Sequence, residues 1–180
     1  LPNLYNSFYR KAGIEAPHNG FTSITRLLNA AKKLNWRTSG EFVGYPHLGN
    51  GPVHNQERKT LTIQYASPFE VRYEYNPKTN SYPRFRNDIK EIDKTTDKQV
   101  EAKNVVIMRA KSLPLEGQYN DIQVEGKGKA EFYLNGQEIK GSWKKDKANQ
   151  KSKLFFYDEK GEEIKFVPGS IWIEIAGPEL

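Results

Sequence analysis

The spacing of apolar residues along the chain changes period near residue 60. Upstream the period is helical. Leu4, Phe8 and Ala12 recur at helical intervals with Gly13 placed as a C-terminal cap, which predicts a helix over residues 3–12. A short loop, residues 15–20, follows. A second helix is predicted from an N-cap at Thr22 or Ser23 to about Trp36, with Ile24, Leu27, Leu28, Ala31 and Leu34 on one stripe and Arg26, Lys32 and Lys33 off it. Gly44, Pro46, Gly49, Asn50, Gly51 and Pro52 then crowd together without periodicity, the mark of a loop or linker.

Downstream the period is two. Leu61, Ile63 and Tyr65 alternate with polar residues, as do Val71, Tyr73 and Tyr75; residues 76–80 form a turn and residues 82–86 a returning strand. Residues 104–108 are an apolar run flanked by charge, as expected of a strand buried on both faces. Asn135-Gly136 marks a two-residue hairpin turn, because a type I′ turn needs positive φ at both central positions. That turn fixes the register. Phe132 faces Ile139 on the side that carries Ala130, Leu134 and Trp143, while Glu131 opposes Lys140 on the other, and a slip by one residue loses both pairings. A second hairpin is predicted at residues 158–161 with Gly161 in the left-handed position, then a turn at Pro168-Gly169 and a last strand carrying Ile171, Ile173 and Ile175. The expected fold class is α+β: a short N-terminal helical segment (residues 1–45), a linker (46–60), and a mostly antiparallel β domain (61–180) built as a meander, sandwich or partly open barrel.

Composition narrows the classes. The chain has 180 residues, no cysteine, and 28 Lys and Arg against 22 Asp and Glu. Disulfides, a thiol nucleophile and thiolate metal sites are therefore excluded, and no run of 18 apolar residues is present to span a bilayer. The excess charge is uneven. Residues 1–60 hold eight basic and three acidic residues, whereas residues 61–180 hold 20 and 19. Within the second part, Lys140, Lys144, Lys145, Lys147, Lys151 and Lys153 face a single Asp146. Such a cluster suits a polyanion; read more plainly, it is a solvated loop kept soluble by lysine. Nucleic acid is not the expected partner, because charge in the β region nearly cancels and no recognised nucleic-acid motif is present.

Catalytic patterns are scarce. Gly126-Lys127-Gly128 is too short for a phosphate loop and leads into a strand rather than a helix. His18, His47 and His54 match no metal spacing, and no metal or cofactor is expected. His18 and Asn19 precede a predicted helix start, where free N–H groups favour an anion; the alternative is that they order the loop while Thr22 or Ser23 caps the helix. Asp88, Glu91 and Asp93 lie among Arg86, Lys90 and Lys94 and read as loop salt bridges rather than an acid–base pair. Trp143, Trp172, Tyr73, Tyr75 and Tyr82 offer either a stacking face or core.

An ordered succession of motifs carries a resemblance. Residues 16–19 followed by Thr22-Ser23 and a helix, then residues 71–75, Tyr82-Pro83-Arg84, Asp93, residues 102–106, Gly126 to Ala130, Asn135-Gly136, residues 141–144 and residues 167–173, are together similar to the YerB-like lipoproteins of bacteria. The resemblance covers the end of that family's first domain and its C-terminal domain. It implies an extracytoplasmic protein held to the membrane by lipidation upstream of this chain. It supplies no catalytic residues. The expected function is a non-enzymatic binding or scaffold module at the cell envelope that contacts an anionic polymer or a protein partner, through His18, Asn19, Arg84, Lys144, Lys145 and Lys147. The alternative is an envelope hydrolase or transferase with a site near His18 at the junction of the two parts, with Arg84 as a candidate contributor.

Overall fold

The computed structural model describes residues 4–41, 43–49, 59–117, 119–149 and 151–178. The chain divides into two compact units, residues 1–43 and 44–180.

In the first unit a 3-10 turn (Leu4–Asn6) leads to strand β1 (Tyr9–Arg10), which pairs with β2 (Gly20–Phe21), and helix α1 (Ile24–Lys33) follows. The helix expected over residues 3–12 is therefore absent. Tyr5 and Asn6 sit at φ of 55° and 57°, in the left-handed region where a helix cannot continue. Three apolar residues in one short segment cannot hold an isolated helix. Pairing with β2 is the better outlet, bringing the Tyr9 and Phe21 rings to 6.1 Å, and the Thr22 hydroxyl donates to the Ser7 carbonyl. For α1, Ser23 is the N-cap, its Oγ accepting from the Arg26 N–H at 3.3 Å. The helix stops short of Trp36 because Asn35 adopts φ of 55°. The Asn35 and Trp36 N–H groups donate to the Lys32 and Ala31 carbonyls, a Schellman termination. Ile24, Leu27 and Leu28 of the predicted apolar stripe remain exposed.

The second unit contains strands β3 (Thr60–Ile63), β4 (Val71–Glu74), β5 (Tyr82–Arg86), β6 (Ile89–Lys90), β7 (Ile92–Asp93), β8 (Lys98–Gln99), β9 (Glu101–Ala102) and β10 (Asn104–Arg109). These are followed by β11 (Ser112–Pro114), β12 (Asn120–Ile122), β13 (Gly126–Leu134), β14 (Gln137–Lys145), β15 (Phe155–Asp158) and β16 (Ile171–Ala176). One sheet runs β15-β14-β13-β10-β16; a second runs β3-β4-β5-β6 with β9 also on β5; β7-β8 and β11-β12 are small hairpins. Strand β10 has a core on each face, as its continuous apolar run predicts. Val106 and Met108 pack with Ala130, Phe132, Leu134, Trp143, Phe156, Ile164 and Phe166. Val105 and Ile107 pack with Ile63, Val71, Tyr73, Tyr75, Tyr82 and Ala176, most of them from the second sheet. The two sheets therefore face each other as a sandwich. Tyr45, the last residue of the expected helical segment, and Leu48, in the stretch read as linker, pack against the first of these cores, and His47 forms a bridge with Phe166.

The β13–β14 register is the predicted one: Phe132 lies opposite Ile139 and Glu131 opposite Lys140. The last strand departs from a simple meander. Instead of returning beside β15, β16 crosses to the far edge and runs parallel to β10. Asn104, fully buried, explains the crossing. Its Nδ2 donates to the carbonyls of Val167 (2.9 Å) and Ser170 (3.2 Å), and its Oδ1 accepts from the Val167 N–H at 2.9 Å. A side chain at the start of β10 thus gathers the turn at residues 168–169 and launches β16 alongside.

Candidate functional site

The β13–β14 hairpin is longer than the strand it leans on. Pairing of β10 with β13 ends at Met108 opposite Ala130, whereas β13–β14 pairing continues to Gly126 opposite Lys145. Beyond Ala130, residues 126–129 present an open strand edge, and the chain after Arg109 diverges from it. The wedge between them is a concavity of about 720 Å³.

Its floor needs glycine. A Cβ on Gly128 would stand 2.4 Å from Trp143 Nε1 and 2.7 Å from the Arg109 carbonyl oxygen. The buried Trp143 indole crosses that spot and donates to the same carbonyl at 2.8 Å, which closes off further β10–β13 pairing. Gly126 has φ of +98°, and a Cβ there would lie 3.1 Å from Cε of Lys147, whose chain passes over it.

The walls are basic. Arg109, Lys111, Lys127, Lys129 and Lys147 line the concavity, with Glu125 the acid among the lining residues. Arg109 is engaged, its Nε and Nη2 donating to the two carboxylate oxygens of Glu131 at 3.1 and 2.8 Å. Lys111, Lys127, Lys129 and Lys147 are exposed and form no ion pair among the described residues. Lys127 also lies directly opposite Lys144 in the ladder. Like charges in that relation destabilise a sheet, so the hairpin end carries uncompensated positive charge that folding does not require.

The sequence-predicted residues scatter. His18 is exposed, its N–H donating to the Glu15 carbonyl at 3.1 Å in a turn with a cis Ala16–Pro17 bond. Asn19 Oδ1 accepts from Arg10 Nη1 at 2.7 Å, so this pair orders its own loop. The lysine cluster divides. Lys140 opposes Glu131, Lys145 Nζ reaches the Ser152 carbonyl, and Lys153 pairs with Glu163 while lying over the Tyr45 and Phe155 rings. Lys147 reaches the groove; Lys144 stands beside it, opposite Lys127.

Arg84 is 4% exposed and turned inward. Its Nε donates to the Tyr73 hydroxyl at 3.0 Å, its Nη2 lies 3.2 Å from Glu174 Oε1, and its guanidinium stacks over Trp172 and pairs with Glu91. Tyr73 in turn donates to Glu174 Oε1 at 2.7 Å, and the Tyr65 hydroxyl lies 3.2 Å from Oε2. Burial first, then the Glu174 carboxylate, raises both tyrosine pKa values above the ordinary range. Every polar arm of this cluster meets protein, so Arg84 has an internal role where ligand contact was expected. Tyr73, Tyr75, Tyr82 and Trp143 are likewise core. Glu91 joins Arg84 and Arg86 rather than a solvated loop pair alone. Among the described residues no group of three or more His, Asp or Glu is placed to hold a metal ion; His54 lies outside them.

Lys111, Lys127 and Lys129 are groove residues outside the contact set expected from sequence, whereas Trp143, expected as stacking face or core, is buried and lines the groove as well. The signal was present. Gly-Lys-Gly-Lys at strand period puts both lysines on one face, and the Asn135-Gly136 register sets Lys127 against Lys144.

Residues 61–173 match the family described as "Protein of unknown function (DUF3048) C-terminal domain". The chain belongs to this family. Over 178 residues it is 26% identical to "Putative lipoprotein YerB" of Bacillus subtilis (strain 168), covering 96% of this chain and 52% of that protein. The crystal structure of the YerB protein from Bacillus subtilis shares the fold, with a TM-score of 0.75 at 24% identity over 94% of this chain and 56% of that one. The chain thus spans about half the length of the relative it matches. The groove's floor glycines, Gly126 and Gly128, and its four lysines fall inside the stretch that matches the family.

Proposed function

We propose that this chain is a non-enzymatic binding module of a cell-envelope lipoprotein, and that it engages an anionic envelope polymer through the groove at the open end of the β13–β14 hairpin. The single observation that carries this reading is the set of four exposed lysines that converge on one concavity, form no ion pair among the described residues, and adjoin the like-charged pair Lys127 and Lys144. Unpaired charge in a concave wall focuses the field and raises local counter-ion concentration. The lipoprotein name of the Bacillus relative supports an extracytoplasmic, membrane-tethered setting, where phosphate- and carboxylate-bearing polymers are at hand. The test is binding to a teichoic-acid-like polyanion across a salt series. Affinity that falls steadily as salt rises is expected; no affinity at low salt, or affinity indifferent to salt, removes the electrostatic reading.

A further inference from the structure

The donors in the groove also select among anions. Planar carboxylates are best read by a guanidinium fork. The fork in this groove, Arg109, is closed bidentately on Glu131. What remains is a set of ammonium groups approaching from different sides: Lys111 from the chain that leaves β10, Lys127 and Lys129 from β13, and Lys147 from beyond β14. The strand edge at residues 126–129 adds backbone N–H groups of alternate residues, since among the described residues no strand pairs there on the β10 side. Donors that converge from several directions suit a tetrahedral anion, whose oxygens also point in several directions, and lysine serves phosphate as a point charge.

Size and shape narrow the occupant. A volume of about 720 Å³ is that of a site for a small-molecule-sized segment rather than a lone ion. The two floor glycines, Gly126 and Gly128, carry no side chain, which lets a flexible chain approach the floor closely.

Resting on the electrostatic reading above, we infer that the groove formed by Lys111, Lys127, Lys129 and Lys147 around Gly126–Gly128 is a binding site for a segment of phosphodiester polymer. With four lysines each neutralising one phosphate of a flexible chain, the salt slope is about −0.7 per contact, so affinity falls about 50-fold between 50 and 200 mM salt.

The test uses the 180-residue chain and three probes: poly(glycerol phosphate), polyglutamate of equal charge, and vesicles of phosphatidylglycerol. Binding to poly(glycerol phosphate) at least tenfold tighter than to polyglutamate, with the predicted salt slope, is the expected result. In the K127Q/K129Q/K147Q variant the same salt interval should weaken binding only about threefold, one contact remaining. All three side chains are exposed, so folding is not at risk, and K94Q/K98Q, two exposed lysines outside the groove lining, should stay near wild type. Equal affinity for polyglutamate overturns the phosphodiester assignment while leaving the polyanion reading in place. Failure to bind either polymer removes both. Tighter binding to vesicles than to the soluble polymer, or a loss in K94Q/K98Q matching that of the groove variant, also overturns the assignment.

Discussion

Replacing Arg84 by Ala removes the cation from a buried, acid-rich cluster. Glu174 is 8% exposed and its Oε1 receives contacts from both Arg84 and Tyr73. Without the guanidinium it becomes a buried carboxylate with no cation paired to it, while Glu91 keeps its pairing with Arg86. Removing one partner of a buried pair costs about 3–5 kcal/mol. For a chain of this size about 4 kcal/mol corresponds to a fall in Tm of about 10 °C, or a urea midpoint lower by about 2 M at a slope of about 2 kcal/mol/M. Urea unfolding followed by tryptophan fluorescence reads it, since Trp172 stacks on Arg84. The double variant R84M/E174Q should recover part of the loss, because no lone charge is left inside. A loss below about 1 kcal/mol for R84A, or no recovery in the double variant, refutes the assignment of Arg84 to internal charge compensation.

Three further outcomes follow from particular contacts. Gly141→Ala places a Cβ 1.9 Å from the Tyr157 carbonyl oxygen, so β15 should separate from β14, with a stability loss on the scale of overpacking, about 1–3 kcal/mol, and faster amide exchange at residues 155–158. Asn104→Ala leaves the Val167 N–H and the Val167 and Ser170 carbonyls without their side-chain partner, which should cost about 2–4 kcal/mol and expose β16 amides to exchange before those of β13. At alkaline pH, burial holds the Tyr65, Tyr73 and Tyr82 pKa values above the ordinary range and pushes Tyr133 up to about 12. The fold thus favours neutral phenols, so stability is full below pH about 10, where unfolded tyrosine titrates, and falls as pH rises above it. Phenolate absorbance of these four should appear together with loss of near-UV circular dichroism, not ahead of it.

The β region was legible because its signals are local or paired. Asn135-Gly136 fixed one register, and the run at residues 104–108 gave the doubly buried strand. Two features were not readable from neighbours in sequence. The parallel course of β16 depends on Asn104 reaching residues 167–170, a contact between segments far apart in the chain. The segment 3–12 carried a helical stripe too short to compete with cross-strand pairing to residues 20–21. The site was legible by halves. A run of lysines along residues 140–153 drew attention, but Lys145 and Lys153 bend to protein partners. The groove is completed by Lys111, Lys127 and Lys129, which only the sheet brings near Lys147. Arg84 looked like a ligand arm because sequence shows charge and not the carboxylate of Glu174 that faces it across the sandwich.

Whether the hairpin-end groove is where the polymer binds is read by site-resolved NMR during titration with poly(glycerol phosphate) at low salt. The Trp143 indole N–H and the amides of residues 126–129 and 147 should shift first and saturate together. Shifts confined to residues 18–19 or 151–153, or spread evenly over all lysines, contradict binding there.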